Sequence, residues 1–263
     1  MPNETASFEV YALKYATRDA QSSEHFYGHV YIPDYPMPMD YFVWAAVSSQ
    51  HTLIIDSGFT AEVGARRQRK YLRCPTEGLK ALGIDCASVP YVIVTHLHYD
   101  HVGNLDKFPA ATFVVQDEEM AFWTGRYAGR TQFRNIVEVQ DIVHLVRENF
   151  KGRVCFVDGS QEIVPGITVH RVGGHAAGLQ VVRVHTARGD IVLASDATHF
   201  YANIEEDRPF SVVTDLRQMY EAFDIVRTLA DSPEHIVPGH DPEVIERHPP
   251  ARAGLEGIAA RIA

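Results

Sequence analysis

Long hydrophobic runs are missing from this chain of 263 residues. No stretch reaches eighteen apolar residues, so no membrane span is expected. Cysteine is scarce. The three present, Cys74, Cys86 and Cys155, are far apart and odd in number. They fit free thiols in a reducing cytoplasm rather than a disulfide framework. The opening Met1-Pro2-Asn3-Glu4-Thr5 has neither a basic stretch nor an apolar segment, so no secretory signal is expected and the location reads as cytoplasmic. Positive charge is the third shortage. Lys and Arg total 24 against 34 Asp and Glu, a net charge of −10. That balance argues against nucleic acid as a partner, because phosphate binding needs a basic surface. Bound cations would offset part of the acidity.

Histidine, by contrast, is abundant, with 14 residues. Three of them, with a carboxylate, fall in Thr95-His96-Leu97-His98-Tyr99-Asp100-His101. The preceding run, Val89 to Val94, is β-branched and punctuated by Pro90, as in a short buried strand. A turn leaving that strand can aim His96, His98, Asp100 and His101 at one point, which neither a regular helix nor a strand allows. Imidazole and carboxylate are donors that zinc, iron or manganese accept. Other histidines, such as His25, His51 and His248, have no assigned partner and read as surface or core residues.

Three later stretches share one design, a strand end followed by a ligand. Val172-Gly173-Gly174-His175 places His175 after a glycine pair that permits a sharp turn. Leu193-Ala194-Ser195-Asp196 closes an apolar strand with a carboxylate, and Val237-Pro238-Gly239-His240 repeats the strand–Gly–His arrangement. Asp56, ahead of Ser57-Gly58, is read in two ways: as support for a ligand, or as an Asp bonding its own turn.

Along the chain, strands are expected at Phe8–Ala16, then a hairpin of Tyr41–Val47 and His51–Ile55, after an irregular proline-rich segment over 17–40. Further strands are expected at Ala111–Val115, Val154–Val157, Ile167–Val172, Gln180–Val184, Ile191–Ala194 and, last, His235–Pro238. Helices are expected at Thr76–Leu82, Asn104–Phe108, from Asp117, and at Leu216–Leu229, where Met219, Phe223 and Val226 recur at helical spacing. The basic cluster Arg66, Arg67, Arg69, Lys70 and Arg73 reads as a solvated helix face. Residues 125–149 look mixed. The whole is expected to be a single domain, 1–263, with an aromatic insertion around 117–150. Its Phe122, Trp123, Tyr127 and Phe133 either meet a ligand or merely pack.

Taken in this order, the ligand stretches resemble the metallo-β-lactamase superfamily, over nearly all of the chain from Asp56 to His240. The resemblance implies an α/β fold, a four-layer αβ/βα sandwich of two mixed sheets with helices outside. It implies two divalent metal ions, Zn2+ first with Fe or Mn also acceptable. His96, His98 and His175 would hold the first, Asp100, His101 and His240 the second, and Asp196 would bridge them. A bridging hydroxide would be the nucleophile, with Asp100 orienting it and passing a proton to the leaving oxygen.

Within the superfamily, the redox diiron branch carries an acidic residue where His98 stands. The zinc β-lactamases lack the bridging Asp, and glyoxalase II carries a helical domain for which the residues after His240 are too few. The chain is most similar to the N-acyl-homoserine lactonases. In these, the segment matching Ser195-Asp196-Ala197-Thr198-His199 has a Tyr at the position of His199. Three explanations stand side by side: His199 takes over as donor, Tyr201 reaches in, or the substrate differs. The implied activity is opening of a small lactone, first an N-acyl-homoserine lactone and hence quorum quenching. A pyridoxolactone-like ring or a glyoxalase II-like thioester is the alternative. A metal-keeping binding or sensing protein fits less well, because the full ligand set is retained. The segments 17–40 and 120–150 are candidate contacts of a homodimer.

Overall fold

The structure is a computed structural model that describes residues 6–28 and 33–263. Met1–Thr5, and residues 29–32 within the expected irregular segment, lie outside the described residues. The first sheet contains β1 (Glu9–Arg18), β2 (Met39–Val47), β3 (Thr52–Ile55), β4 (Lys70–Tyr71), β5 (Tyr91–Ile93), β6 (Thr112–Gln116) and β7 (Val154–Val157). The second contains β8 (Ser160–Val164), β9 (Ile167–Arg171), β10 (Gln180–Thr186), β11 (Gly189–Ser195) and β12 (Ile236–Pro238). A short β13 (Ala259–Arg261) then returns to the first sheet beside β1.

The order of the first sheet is β13-β1-β2-β3-β5-β6-β7, with β4 on β1, and that of the second is β12-β11-β10-β9-β8. Both sheets are mixed. β3, β5, β6 and β7 run parallel, as do β11 and β12, while the hairpins are antiparallel. Parallel strands gather their carboxyl ends on one edge, where open α/β sheets bind their ligands.

Alternation along the strands sorts the core into three apolar layers. Val10, Phe42, Trp44, Leu53, Ile93 and Val114 of the first sheet meet Ile167, Val169, Val182, Val184 and Leu193 of the second. On the outer face of the first sheet, Tyr15, Val43, Val92 and Phe113 pack against Leu79 and Leu145 from helices. Outside the second sheet, Val181, Val192 and Ala194 receive Ala222, Phe223 and Val226 of the helix Leu216–Leu229. That helix starts where Asp215 accepts from the Gln218 N–H at 3.1 Å, an N-cap with its side-chain acceptor in place. Each fully buried Leu, Val or Phe contributes about 1.5–3 kcal/mol, so the three layers carry the fold without disulfides. Among the described residues, no helix is long and apolar enough to cross a membrane.

The fold agrees with the expected four layers, with several corrections. Ser160–Val164 is a strand, although its polar Ser-Gln-Glu start hides it. Ile236–Pro238 is not the last strand, since β13 follows. The stretch read as mixed holds the helices Thr131–Arg134 and Val139–Phe150, and the second buries Ile142 and Leu145. The basic cluster is not one solvated helix face. Its helix, Ala61–Arg66, ends at Arg66, and Gln68 turns the chain at φ +57°. Arg67 and Arg69 are thereby turned inward onto Tyr99, with the Arg67 guanidinium 4.0 Å from the ring centroid and Arg69 Nε donating to Tyr99 Oη at 3.0 Å.

Candidate metal centre and cleft

Every strand end expected to present a ligand lies at the same edge of the two sheets. The turn after β5 carries His96 and His98 and leads into the short helix Tyr99–Val102, which holds Asp100 and His101. His175 follows β9, Asp196 follows β11 and His240 follows β12. Backbone geometry allows the convergence. Gly174 has φ +85°, and a Cβ there would lie 2.6 Å from Met219 N. A Cβ on Gly239 would lie 2.7 Å from Ser195 O. Ser195 and Asp56 adopt φ of +45° and +63° without being glycine, a strain that persists only where surrounding structure enforces it.

The donor atoms form groups. One ligand atom from each of His96, His98, His175 and Asp196 lies within 4.8 Å of the others, and the same holds for Asp100, His101 and His240. Asp196 faces both groups. Its Oδ2 is 3.1 Å from His175 Nε2 and 3.7 Å from His96 Nε2. Its Oδ1 is 3.1 Å from His240 Nε2 and 3.4 Å from His101 Nε2. All these side chains are buried.

Hydrogen bonds from the far side set the rings. His175 Nδ1 donates to Val212 O at 2.9 Å and His240 Nδ1 to Asp40 O at 2.8 Å. His101 Nδ1 donates to Asp56 Oδ2 at 2.7 Å. Asp56 also accepts from Thr95 N and Thr95 Oγ1, both at 2.8 Å. Of its two readings, the structure displays the ligand support. Such outer bonds fix tautomer and orientation, leaving the inner nitrogen as donor to a metal. Among the described residues the Nε2 atoms of His96, His98 and His101 are buried with no hydrogen-bond partner, which is costly unless something else coordinates them. The donor set therefore fits two metal ions.

The titration behaviour agrees. Burial, with neighbouring imidazoles, holds His96 and His98 well below the usual histidine range. Burial also opposes charge on His101, but Asp196, Asp56 and Asp100 outweigh it and hold the imidazole well above the usual histidine range. For Asp196 burial is overcome by His199, His240, His101 and His175, which keep the carboxylate ionised.

Above the centre lies a cleft of about 120 Å³ lined by Arg18, Met39, Tyr41, Arg69, Tyr99, Asp100, Ile136, His199, Phe210 and Val212 among others. His199 belongs to it. Its Nε2 is 2.9 Å from Asp196 Oδ2, and its ring stacks on Phe210 at 3.4 Å between centroids. Burial keeps it neutral despite Asp196. Tyr201 does not join the others, because the chain enters the helix Tyr201–Glu205 and carries its ring away. The Tyr201 ring lies under the Arg247 guanidinium at 3.6 Å, and it lines depressions on another face. Of the aromatic segment, Trp123 packs edge-on against His98 at 5.7 Å, while Tyr127 is exposed.

Two contributors carried no sequence signal. Glu119, fully buried, accepts from Leu97 N at 2.8 Å, Trp123 Nε1 at 2.7 Å and Gly178 N at 2.7 Å. It ties the loop of His96 and His98 to the loop of His175. Tyr41, in β2, places its hydroxyl 3.4 Å from that of Tyr99.

Comparison with known proteins follows the same lines. The family model of the metallo-beta-lactamase superfamily matches residues 38–240. N-acyl homoserine lactonase AttM of Azorhizobium caulinodans is 30% identical over 230 residues, covering 80% of this chain and 84% of that protein. N-acyl homoserine lactonase AiiA of Bacillus thuringiensis subsp. kurstaki is 28% identical over 134 residues, 51% of this chain and 48% of its own length. A solved N-acyl homoserine lactone hydrolase with N-hexanoyl-L-homoserine at its catalytic metal center superposes with a TM-score of 0.75 at 19% identity, covering 92% of this chain and 96% of that one. AidC, a dizinc quorum-quenching lactonase, gives 0.69 at 16% identity over 91% and 92%. At these identities the two structures speak to the fold.

Proposed function

Because the chain belongs to the metallo-beta-lactamase superfamily, we propose that it is a dinuclear metal-dependent hydrolase that opens a lactone ring, first among substrates an N-acyl-homoserine lactone. The observation that carries the reading is Asp196 set between two ligand groups at the floor of a cleft, in a chain similar to AttM along 84% of AttM's length. His96, His98 and His175 would hold one ion, Asp100, His101 and His240 the other, with Asp196 shared. Zn2+ suits this nitrogen-rich donor set, and iron or manganese fits it as well. When bound, such a pair supplies an acidified water and a Lewis acid for the carbonyl.

The chain's own residues supply the rest. Asp100 belongs to one ligand group and also lines the cleft, so its carboxylate can take the proton of the attacking water and return it to the leaving ring oxygen. His199 takes the place left by the family's Tyr; its Nε2 proton, which faces Asp196 Oδ2 at 2.9 Å, would become available to the substrate carbonyl once the two ions engage Asp196. Tyr201 has no part in this reading. The burial of the centre makes each of these charge interactions stronger than it would be in water. The assignment extends to one domain over 1–263, with 117–150 as an insertion beside the cleft, a cytoplasmic location and a homodimer as the assembly to test.

The test is hydrolysis by metal-loaded protein of short- and long-chain N-acyl-homoserine lactones, beside plain γ- and δ-lactones, a pyridoxolactone and a thioester. Turnover of the homoserine lactones is expected. Turnover of another lactone alone would move the substrate and keep the reaction. Activity on the thioester alone would overturn the lactonase reading.

A further inference from the structure

The wall of the cleft carries two arginines, Arg18 and Arg69. β1 and β4 pair antiparallel, with Ala16 opposite Tyr71 and Thr17 opposite Lys70. Arg18 follows the last paired residue of β1 on this side, Arg69 precedes β4, and both line the cleft with Tyr41, Tyr99 and Asp100. The pair is only half balanced. Arg18 Nη1 meets Glu24 Oε2 at 3.0 Å, while its Nε is buried with no partner among the described residues. Arg69, half-buried, gives Nε to Tyr99 Oη at 3.0 Å and Nη1 to Arg67 O at 2.9 Å. Among the described residues no carboxylate oxygen lies within 4.0 Å of it. Its neighbours Arg66 and Arg67 are neutralised by Glu138 at 2.6 and 2.8 Å.

A guanidinium held in place by a tyrosine, facing a cleft and lacking a counter-ion, is a receptor for a planar anion. The location decides which anion. Arg69 lines the same cleft as Asp100, His98, His175 and Asp196 of the metal centre, so a ligand whose ester sits over that centre would have its other end within the cleft that Arg69 lines. We propose that Arg69, with Arg18 beside it, is a specificity-determining site for a carboxylate borne by the lactone substrate and separate from its ester. The inference rests on the lactonase reading. It narrows the substrate class from neutral acyl lactones to lactones with an anionic arm.

The experiment compares N-glutaryl-homoserine lactone with the same compound ending in a primary amide, which matches it in shape and lacks the charge. A preference of about tenfold or more in kcat/KM for the carboxylate is expected, the yield of one charged hydrogen-bonded contact, and it should shrink as salt is added. Arg69→Gln is expected to bring the ratio close to one, and Arg69→Lys to restore part of it. A ratio near one in the native protein overturns the inference, as does an R69Q variant that slows both substrates equally, since Arg69 would then serve the carboxylate formed on ring opening. Calorimetric binding of the two ring-opened compounds to metal-loaded protein supplies a readout free of turnover. Equal affinities overturn the inference. A preference for the doubly charged compound, with neither lactone hydrolysed, upholds the anion site and overturns the lactonase reading alone.

Discussion

The floor and the wall of the cleft are built on opposite principles. On the floor, the donors are buried in the turns and the short helix that follow strand ends, and His175, His240 and His101 are held from behind by a backbone carbonyl or by Asp56. The wall is assembled from loops and half-buried side chains such as Ile136, Val212 and Arg69. A floor of that kind can hold ligands to the small tolerances that metal coordination demands. A wall of this kind tolerates replacement, and loops are where recognition varies while the scaffold stays. The difference teaches where to look for each property. On the proposed reading, reaction type would be set at the floor, and choice of substrate at the wall.

Substitutions can break or sharpen that contrast. Asp100→Asn, on the floor, should lower kcat/KM by about 10²–10⁴, with metal content, measured by atomic spectroscopy, falling far less. Unchanged turnover would remove Asp100 from the proton transfer. Glu119→Ala should come next. It strands the N–H groups of Leu97, Gly178 and Trp123, at about 1–3 kcal/mol for each one left unpaired, read by urea unfolding. Asp56→Asn should cost about 10–100-fold in metal affinity or activity, and a metal titration matching the native protein would show that His101 needs no such brace. On the wall, Ile136→Ala should move KM more than kcat, by roughly tenfold or less. A collapse of kcat there would erase the division between floor and wall.

The smallest effect is expected behind the wall, at Asp141 in the helix Val139–Phe150. Burial, aided by Glu138, raises its carboxyl to about 7, and its Oδ2 has no partner among the described residues. A carboxyl raised in the folded state stabilises the protein below its unfolded value. That contribution is lost as pH rises through about 7. Asp141→Asn should therefore raise the melting temperature at pH 8 and change it little at pH 4. An equal rise at both would point to packing rather than ionisation.

The floor could be read from the chain because its information is local. His96, His98, Asp100 and His101 lie in one turn, and His175 and His240 each follow a glycine that announces a tight approach. The helix Leu216–Leu229 was readable for the same reason, its apolar spacing being repeated over several turns. The wall could not be read this way. Arg69 faces the cleft because Gln68 takes a positive φ, which no composition announces, and Tyr201 faces away because a helix begins there. Glu119 is one acid among three in Asp117-Glu118-Glu119, and only its burial separates it from its exposed neighbours. β13, of three residues, is too short for any periodicity to mark.

The donor set is divided between the two sheets, which share no strand ladder among the described residues. His96, His98, Asp100 and His101 belong to one, and His175, Asp196 and His240 to the other. Near the centre the sheets are also stitched by Gln180, whose N donates to Thr95 O at 3.0 Å and whose Nε2 donates to Val94 O at 2.7 Å. Ions bound there would work as rivets between two plates. Loss of the rivets would let the plates part first along the cleft edge, so that amide exchange in β5 and β11 would quicken together.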